Sequence, residues 1–275
     1  MYLNMNSIMI LKRINNNILV RLCLLLLFLT LSMTVKANDN IDSDNIISKQ
    51  QGDSLYMKGE YEKAVSIYLN LINKYGHASQ LYYNIGNCFY KLGNVHKSIL
   101  NYERALKLSP GDNDIRENLA LARGRTVDKV THPSEMFFVT WWKNLTMIMS
   151  VDQWGGFAIL SFVLSLIGVL FYVLISNIAI RKIGVCTFVT FFLIMILSNF
   201  AAVSLRNQTL EHLYAIVSAP VRSVKSSPNE ESVDLFVIHE GAKVEILDNS
   251  IKGWCEIKLE EGKIGWIPAD YIEII

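Results

Sequence analysis

No residue that is ionised at neutral pH falls between Asp152 and Arg181, nor between Lys182 and Arg206. The second of these gaps is 23 residues long. A bilayer core of about 30 Å needs roughly 20 helical residues, so each gap accommodates one membrane-spanning helix, over 153–176 and 183–205. The gaps contain no histidine either. Intramembrane acids and bases mark proton and ion paths, so their lack argues against coupled transport and leaves the hairpin as an anchor. Cysteine is just as uninformative: Cys23, Cys88, Cys186 and Cys255 form no C-x-x-C and fall in four different segments. That excludes a disulfide framework and a thiolate metal site, and the last three read as small buried residues. The histidines, His77, His96, His132, His212 and His239, sit in no metal or triad motif, and no Walker loop, G-x-S-x-G or H-E-x-x-H occurs. With no motif of catalysis and no cofactor fingerprint, the sequence reads as non-enzymatic.

A third apolar run, Leu22 to Val35, is too short to span and follows Lys12, Arg13 and Arg21. It ends at Val35-Lys36-Ala37, with small residues at the cleavage positions of a secretory signal peptide. The sequence thus predicts a signal over 1–37 and export of everything from 38 to the first span. The first span then runs inward, and "NIAIRK", 177–182, puts Arg181 and Lys182 on the cytoplasmic face, as the positive-inside rule prefers. Segment 206–275 returns to the outer side. An uncleaved N-terminal anchor gives the same topology.

Self-comparison of 38–126, within the repeat segment 38–130, shows an offset of 34 residues: Gly52 recurs as Gly86, Gly59 as Gly93 and Tyr68 as Tyr102. Each unit reads as two amphipathic helices joined at a glycine turn, and Pro110 ends the second unit because proline cannot continue a helix. Tyr82, Ile85, Gly86, Phe89, Gly93, Tyr102, Ala105 and Pro110 fall on the signature positions of the tetratricopeptide repeat, which the segment resembles. In the first unit Gln51, Leu71 and Gly76 depart from the pattern. A third helix, "DNDIRENLALARGR", stands at the next repeat position and is expected to cap the array. The resemblance implies a concave groove lined by the first helix of each unit, with Lys49, Asp53, Tyr56, Tyr83, Asn84, Asn87, Tyr90 and Lys91 as partner-binding side chains. Asp53 stands where carboxylate-gripping relatives carry asparagine, which argues against capture of a peptide C-terminus. Segment 38–135 has 12 basic and 12 acidic residues, no footprint for nucleic acid.

"MFFVTWWKNLTMIMS", 136–150, is apolar and aromatic around Lys143, and Trp141 and Trp142 suit a bilayer interface. Segment 131–152 is therefore expected to lie along the outer membrane surface, in contact with lipid. Ser150 and Gln153 have the spacing of a capping box opening the first span. From about Tyr214 the pattern turns to period two, in "DLFVIHEGAKVEIL" and "WCEIKL", between glycine-containing turns: short strands of a small closed barrel. Glu240-Gly241, Val244, Ile246, Gly253-Trp254, the Gly262–Ile267 run and Pro268 resemble a bacterial SH3-like domain. That resemblance implies Trp254, Pro268 and Tyr271 as surface contacts. The acidic-aromatic strand opening of proline-peptide binders is absent. Segment 206–275 has 7 basic and 12 acidic residues, unfavourable for anionic polymers.

The predicted architecture is multidomain: an all-α repeat segment, a two-helix transmembrane hairpin and a small all-β SH3-like barrel. This order, with "NLALARGRTVDKV" before the aromatic approach, resembles the repeat-bearing, BatE-like family of the Bacteroides aerotolerance operon. The resemblance implies an inner-membrane protein with both modules in the periplasm, encoded beside von Willebrand A-domain membrane proteins and working in envelope assembly or stress tolerance. Two readings follow. One is a scaffold that recruits such membrane proteins through the groove and the SH3-like domain. The other is an envelope tether or sensor whose SH3-like domain contacts peptidoglycan.

Overall fold

The computed structural model describes residues 43–128, 136–211 and 213–275. The signal peptide expected over 1–37 lies outside the described residues, as do segments 38–42 and 129–135, with His132, and His212. Eight helices are described. α1 (Ser43–Met57) and α2 (Tyr61–Tyr75) form one helical pair, and α3 (Ser79–Lys91) and α4 (Val95–Leu108) a second. They are followed by α5 (Asn113–Arg123), α6 (Phe137–Thr146), α7 (Val151–Leu174) and α8 (Ile178–Glu211).

The two pairs repeat in detail because the same residues solve the same packing problem. Gly59 and Gly93 turn between the helices at φ +79° and +76°, a conformation that costs a residue with Cβ about 1 kcal/mol or more. A Cβ on Gly52 would lie 2.6 Å from the Tyr68 ring, and one on Gly86 2.6 Å from the Tyr102 ring. Each glycine thus admits a tyrosine that is itself fully buried. Asn94 caps α4 by accepting from the Lys97 amide at 3.2 Å, and Asp112 caps α5 by accepting from Asp114 and Ile115; such caps satisfy amides with no partner in the first turn.

The third helix does not finish the array alone. Ile115, Leu119 and Ala122 of α5 pack with Ile99, Leu100, Tyr102 and Ala105, and Ile216 of the C-terminal β-domain enters the same cluster. The support that a two-repeat array needs comes from a later domain of the same chain.

That β-domain has strands β1 (Leu213–Val217), β2 (Val221–Lys225), β3 (Asp234–His239), β4 (Lys243–Asp248), β5 (Trp254–Leu259), β6 (Ile264–Pro268) and β7 (Ile272–Ile274). The order is β3-β2-β6-β5-β4-β1-β7, with antiparallel neighbours throughout. The period-two pattern dictates its core: Cys255 and Ile257 point in with Val224, Ile238, Val244 and Ile267, and Leu259 packs against them. The domain begins at Leu213 rather than 206, because α8 continues to Glu211. After the last apolar turn Arg206 and Asn207 are helix formers of ordinary propensity with no breaker between them and the strand.

α7 and α8 are long and apolar enough to cross a membrane. Only 22% and 17% of their most apolar windows are buried, whereas a core helix of a soluble protein would be mostly covered. The buried positions of α7 are small, Ala158, Ser161, Ser165 and Gly168, while Ile159, Leu160, Phe162 and Leu166 face outward. Small residues let helix backbones approach where no water drives apolar burial: Gly168 comes so close to α8 that a Cβ there would lie 2.7 Å from the Gly184 carbonyl oxygen. Ser165 donates to the Phe162 carbonyl and Ser198 to Ile194, so neither hydroxyl is left unpaired.

Two expectations are corrected here. The connection is shorter than the loop 177–182: Asn177 accepts from the Ala179 amide at 2.9 Å and starts α8, so Arg181 and Lys182 lie in its first turns. Arg181 donates from Nε to the Tyr172 carbonyl at 3.0 Å and stacks over that ring. Cys186 is exposed on α8, unlike buried Cys88 and Cys255.

Candidate functional site

The first helices of the repeats bring part of the expected groove together. Asp53, Tyr56, Asn84 and Asn87 line one small pocket of about 140 Å³ with Met57 and Tyr68. Asp53 is its electrostatic centre. Its Oδ1 accepts from the Tyr68 hydroxyl at 2.7 Å and from Asn84 Nδ2 at 3.3 Å, and its Oδ2 from Lys49 Nζ at 2.8 Å. Burial, and then the Asp53 carboxylate, push the Tyr68 hydroxyl well above the ordinary tyrosine range, so it stays a donor. One repeat on, Tyr102 donates to Asn87 Oδ1 at 2.6 Å. Asp53 and Asn87 are therefore repeat-equivalent anchors for the buried tyrosines as well as pocket-lining residues.

The other groove positions divide. Tyr83 accepts from Asn118 Nδ2 at 2.8 Å and faces α5. Tyr90 carries the Arg125 guanidinium 3.9 Å above its ring, a cation–π contact. Lys91 is exposed in the last turn of α3. These three lie outside the pocket.

On the β-domain Trp254 and Pro268 are register partners on β5 and β6. Both are half-buried. Tyr271 lies in the 3₁₀ turn that follows, packed against the core on one side, with the Arg222 guanidinium 4.6 Å over its ring.

The sequence reading missed a polar seam between the repeats and the β-domain. Glu103 on α4 is buried, and its carboxylate accepts from Lys243 on β4 at 2.8 Å and from Arg123 on α5. Burial pushes its pKa up, but Lys243 and Arg123 more than offset this, leaving it below the ordinary carboxylate value. Asp128 accepts from the His239 backbone amide at 2.8 Å and pairs with that ring's Nδ1 at 2.7 Å. His96 faces Glu240 at 3.4 Å and Glu273 at 3.9 Å. Arg104 donates to the Ile274 carbonyl at 2.5 Å. One signal existed: Glu103 stands 34 residues after Leu69, a charge where the first unit is apolar.

Among the described residues no three His, Cys, Asp or Glu side chains gather as a metal site would require. Burial pushes the Cys88 thiol up to about 12, which leaves it inert rather than nucleophilic.

Comparison with known families agrees with this geometry. Residues 50–78 and 79–112 each match a model of the tetratricopeptide repeat, and residues 218–273 match the bacterial SH3 domain. No curated protein matches the chain. The chain carries two tetratricopeptide repeats, two long apolar helices and a bacterial SH3 domain, in that order.

Proposed function

We propose that the protein is a membrane-anchored, non-enzymatic scaffold of the BatE-like kind. It recruits envelope membrane proteins, those with von Willebrand A domains first, through the repeat groove and the SH3-like domain. α7 and α8 cross the inner membrane, and both modules lie on the periplasmic side. The supporting observation is that the groove pocket around Asp53 is lined by the repeats alone, while the β-domain packs on α4 through Ile216 and Lys243. Two binding surfaces held in one arrangement gain from high effective concentration, so neither needs high affinity by itself. Partner binding uses Lys49, Asp53, Tyr56, Asn84 and Asn87 around the pocket, with Tyr83, Tyr90 and Lys91 alongside. The setting is envelope stress or aerotolerance.

The test is in-cell crosslinking of the tagged full chain followed by mass spectrometry of bound proteins. Asn84→Arg places a long cation in the pocket mouth, and recovery of von Willebrand A-domain proteins should fall to background while the variant still accumulates in the membrane. Unchanged recovery would remove the groove from the reading.

A second reading rests on the adjacency of Trp254 and Pro268. They offer an aromatic-proline surface to peptidoglycan, and the protein is then a tether or sensor. In that case wall fragments should be crosslinked, and Trp254→Ala should abolish their recovery with Asn84→Arg neutral.

A further inference from the structure

Two carboxylates of the β-domain share one charged partner on the repeats, and it is an imidazole. His96 lies in the first turn of α4 with 15% of its side chain exposed. Its Nδ1 faces Glu240 Oε2 of the β3–β4 turn at 3.4 Å, and its Nε2 faces Glu273 Oε1 of β7 at 3.9 Å. Among the described residues neither glutamate pairs with another cation. Close packing holds the turn in place: a Cβ on Gly241 would lie 2.7 Å from Thr126 Cγ2 and 3.0 Å from Ile99 Cδ1. The backbone that carries Glu240 therefore stays against α4 while the β-domain is docked.

A neutral imidazole has one N–H and one bare lone pair, whereas an ionised carboxylate only accepts. With an acceptor at each nitrogen, a neutral His96 serves one glutamate and turns a lone pair on the other. A protonated ring donates toward both. His239 differs, because its Nδ1 faces one carboxylate, Asp128, at 2.7 Å, and the single N–H of a neutral ring satisfies it. The repeat side gives a charge on His96 no help. The N-terminal end of a helix disfavours a cation, and the neighbouring Lys97 is turned over the Phe89 ring. Glu103, the first acid along α4, is held by Lys243 and Arg123, and Arg104 donates to the Ile274 carbonyl. The charge is favoured only when the β-domain is in place to meet it.

We propose that His96 is a proton-operated clasp between the repeats and the β-domain. Protonated, it bridges Glu240 and Glu273; neutral, it leaves one of them facing a lone pair. The two modules then hold together more tightly as the medium turns from mildly alkaline to mildly acid. A group that charges more readily in the docked form stabilises docking at the acid side and loses that contribution as pH rises. The window is the one in which imidazole ordinarily titrates, above the acid range in which Glu103 is neutralised. Ile216 of the β-domain closes the repeat core, so the clasp couples the acidity of the medium to the repeats as well as to the spacing of the two modules. The inference stands on this seam alone, whatever either module binds and whether or not α7 and α8 cross a membrane.

Hydrogen exchange of the full chain in neutral detergent, read by mass spectrometry and corrected for the chemical exchange rate, tests this. The comparison is between about pH 8 and about pH 5.5, either side of the ordinary imidazole value. Seam peptides are those from the start of α4 and from the end of β3, where the His239 amide donates to Asp128. They should gain about fivefold protection at the acid pH, the effect of two partly exposed ion pairs, while peptides of α2 gain none. His96→Gln should remove the gain, and Glu240→Gln with Glu273→Gln should remove it with the histidine intact. His239→Gln should lower protection at both pH values and keep the difference between them. The clasp is overturned by a wild-type chain without the gain, or by a gain of equal size in α2. It is equally overturned by a gain that survives in the His96 variant or the paired glutamate variant, or by one lost in His239→Gln.

Discussion

Glu103 Oε2 and Lys243 Nζ lie 2.8 Å apart across 140 residues of sequence, joining the second repeat to β4 of the SH3-like domain. The carboxylate side chain is 6% exposed and the lysine 21%. Such a pair adds little over an apolar contact, but removing one partner strands the other, at about 3–5 kcal/mol. Arg123 shares the carboxylate, so part of that cost is absorbed here.

Lys243→Ala should therefore destabilise the full chain by about 3 kcal/mol in denaturant unfolding, with the β-domain releasing from α4 as shown by limited proteolysis. Lys63→Ala, which breaks only the exposed pair with Glu60, should leave the midpoint unchanged. Equal effects of the two would mean that the seam contributes nothing to docking.

Acid should undo the same seam. Glu103 has its pKa below the ordinary 4.5 in the folded protein, so its contribution is complete above about pH 4.5 and is lost as pH falls from there through the folded value. Unfolding midpoints measured through this acid range should drop, and Glu103→Gln, although less stable at neutral pH, should show a shallower drop. A slope identical in both proteins would assign the acid sensitivity to other carboxylates.

The buried tyrosines should couple to their repeat-equivalent anchors. Tyr102→Phe and Asn87→Ala each remove the 2.6 Å hydrogen bond. A double-mutant cycle should give about 1 kcal/mol of coupling, and the Tyr68–Asp53 pair somewhat more because its acceptor is charged. Asn87→Ala is thus a poor probe of partner binding, since it loosens the repeat as well.

Gly86→Ala should cost about 1–3 kcal/mol, because its Cβ would press on the Tyr102 ring where the core cannot yield. Tyr102→Leu in the same chain should recover part of the loss in thermal unfolding, whereas a purely local helix effect would make Gly86→Ala stabilising.

Much of this fold was legible because it is periodic. The 34-residue offset of Gly52, Gly59 and Tyr68 specifies two helical pairs, and the alternation in "WCEIKL" places Cys255 and Ile257 in one core. The capping box was legible too: the Ser150 amide donates to Gln153 Oε1 at 2.9 Å and the Gln153 amide to Ser150 Oγ at 3.3 Å. The groove was half legible. Register identifies which helix face Asp53, Asn84 and Asn87 occupy, but not that Asp53 and Asn87 are engaged by the tyrosines behind them, while Tyr83 and Tyr90 turn to α5.

The sequence by itself determined the elements and their order, because helix and strand periods, glycine turns and charge-free runs are local properties of the chain. Only the tertiary structure decided that the SH3-like domain completes the repeat array. Ile216, Lys243 and His239 meet α4 and the residues after α5 over separations of more than a hundred residues, where no periodicity connects them. Burial of Ile216 and neutralisation of Glu103 are energies of a surface that exists only once both domains have folded.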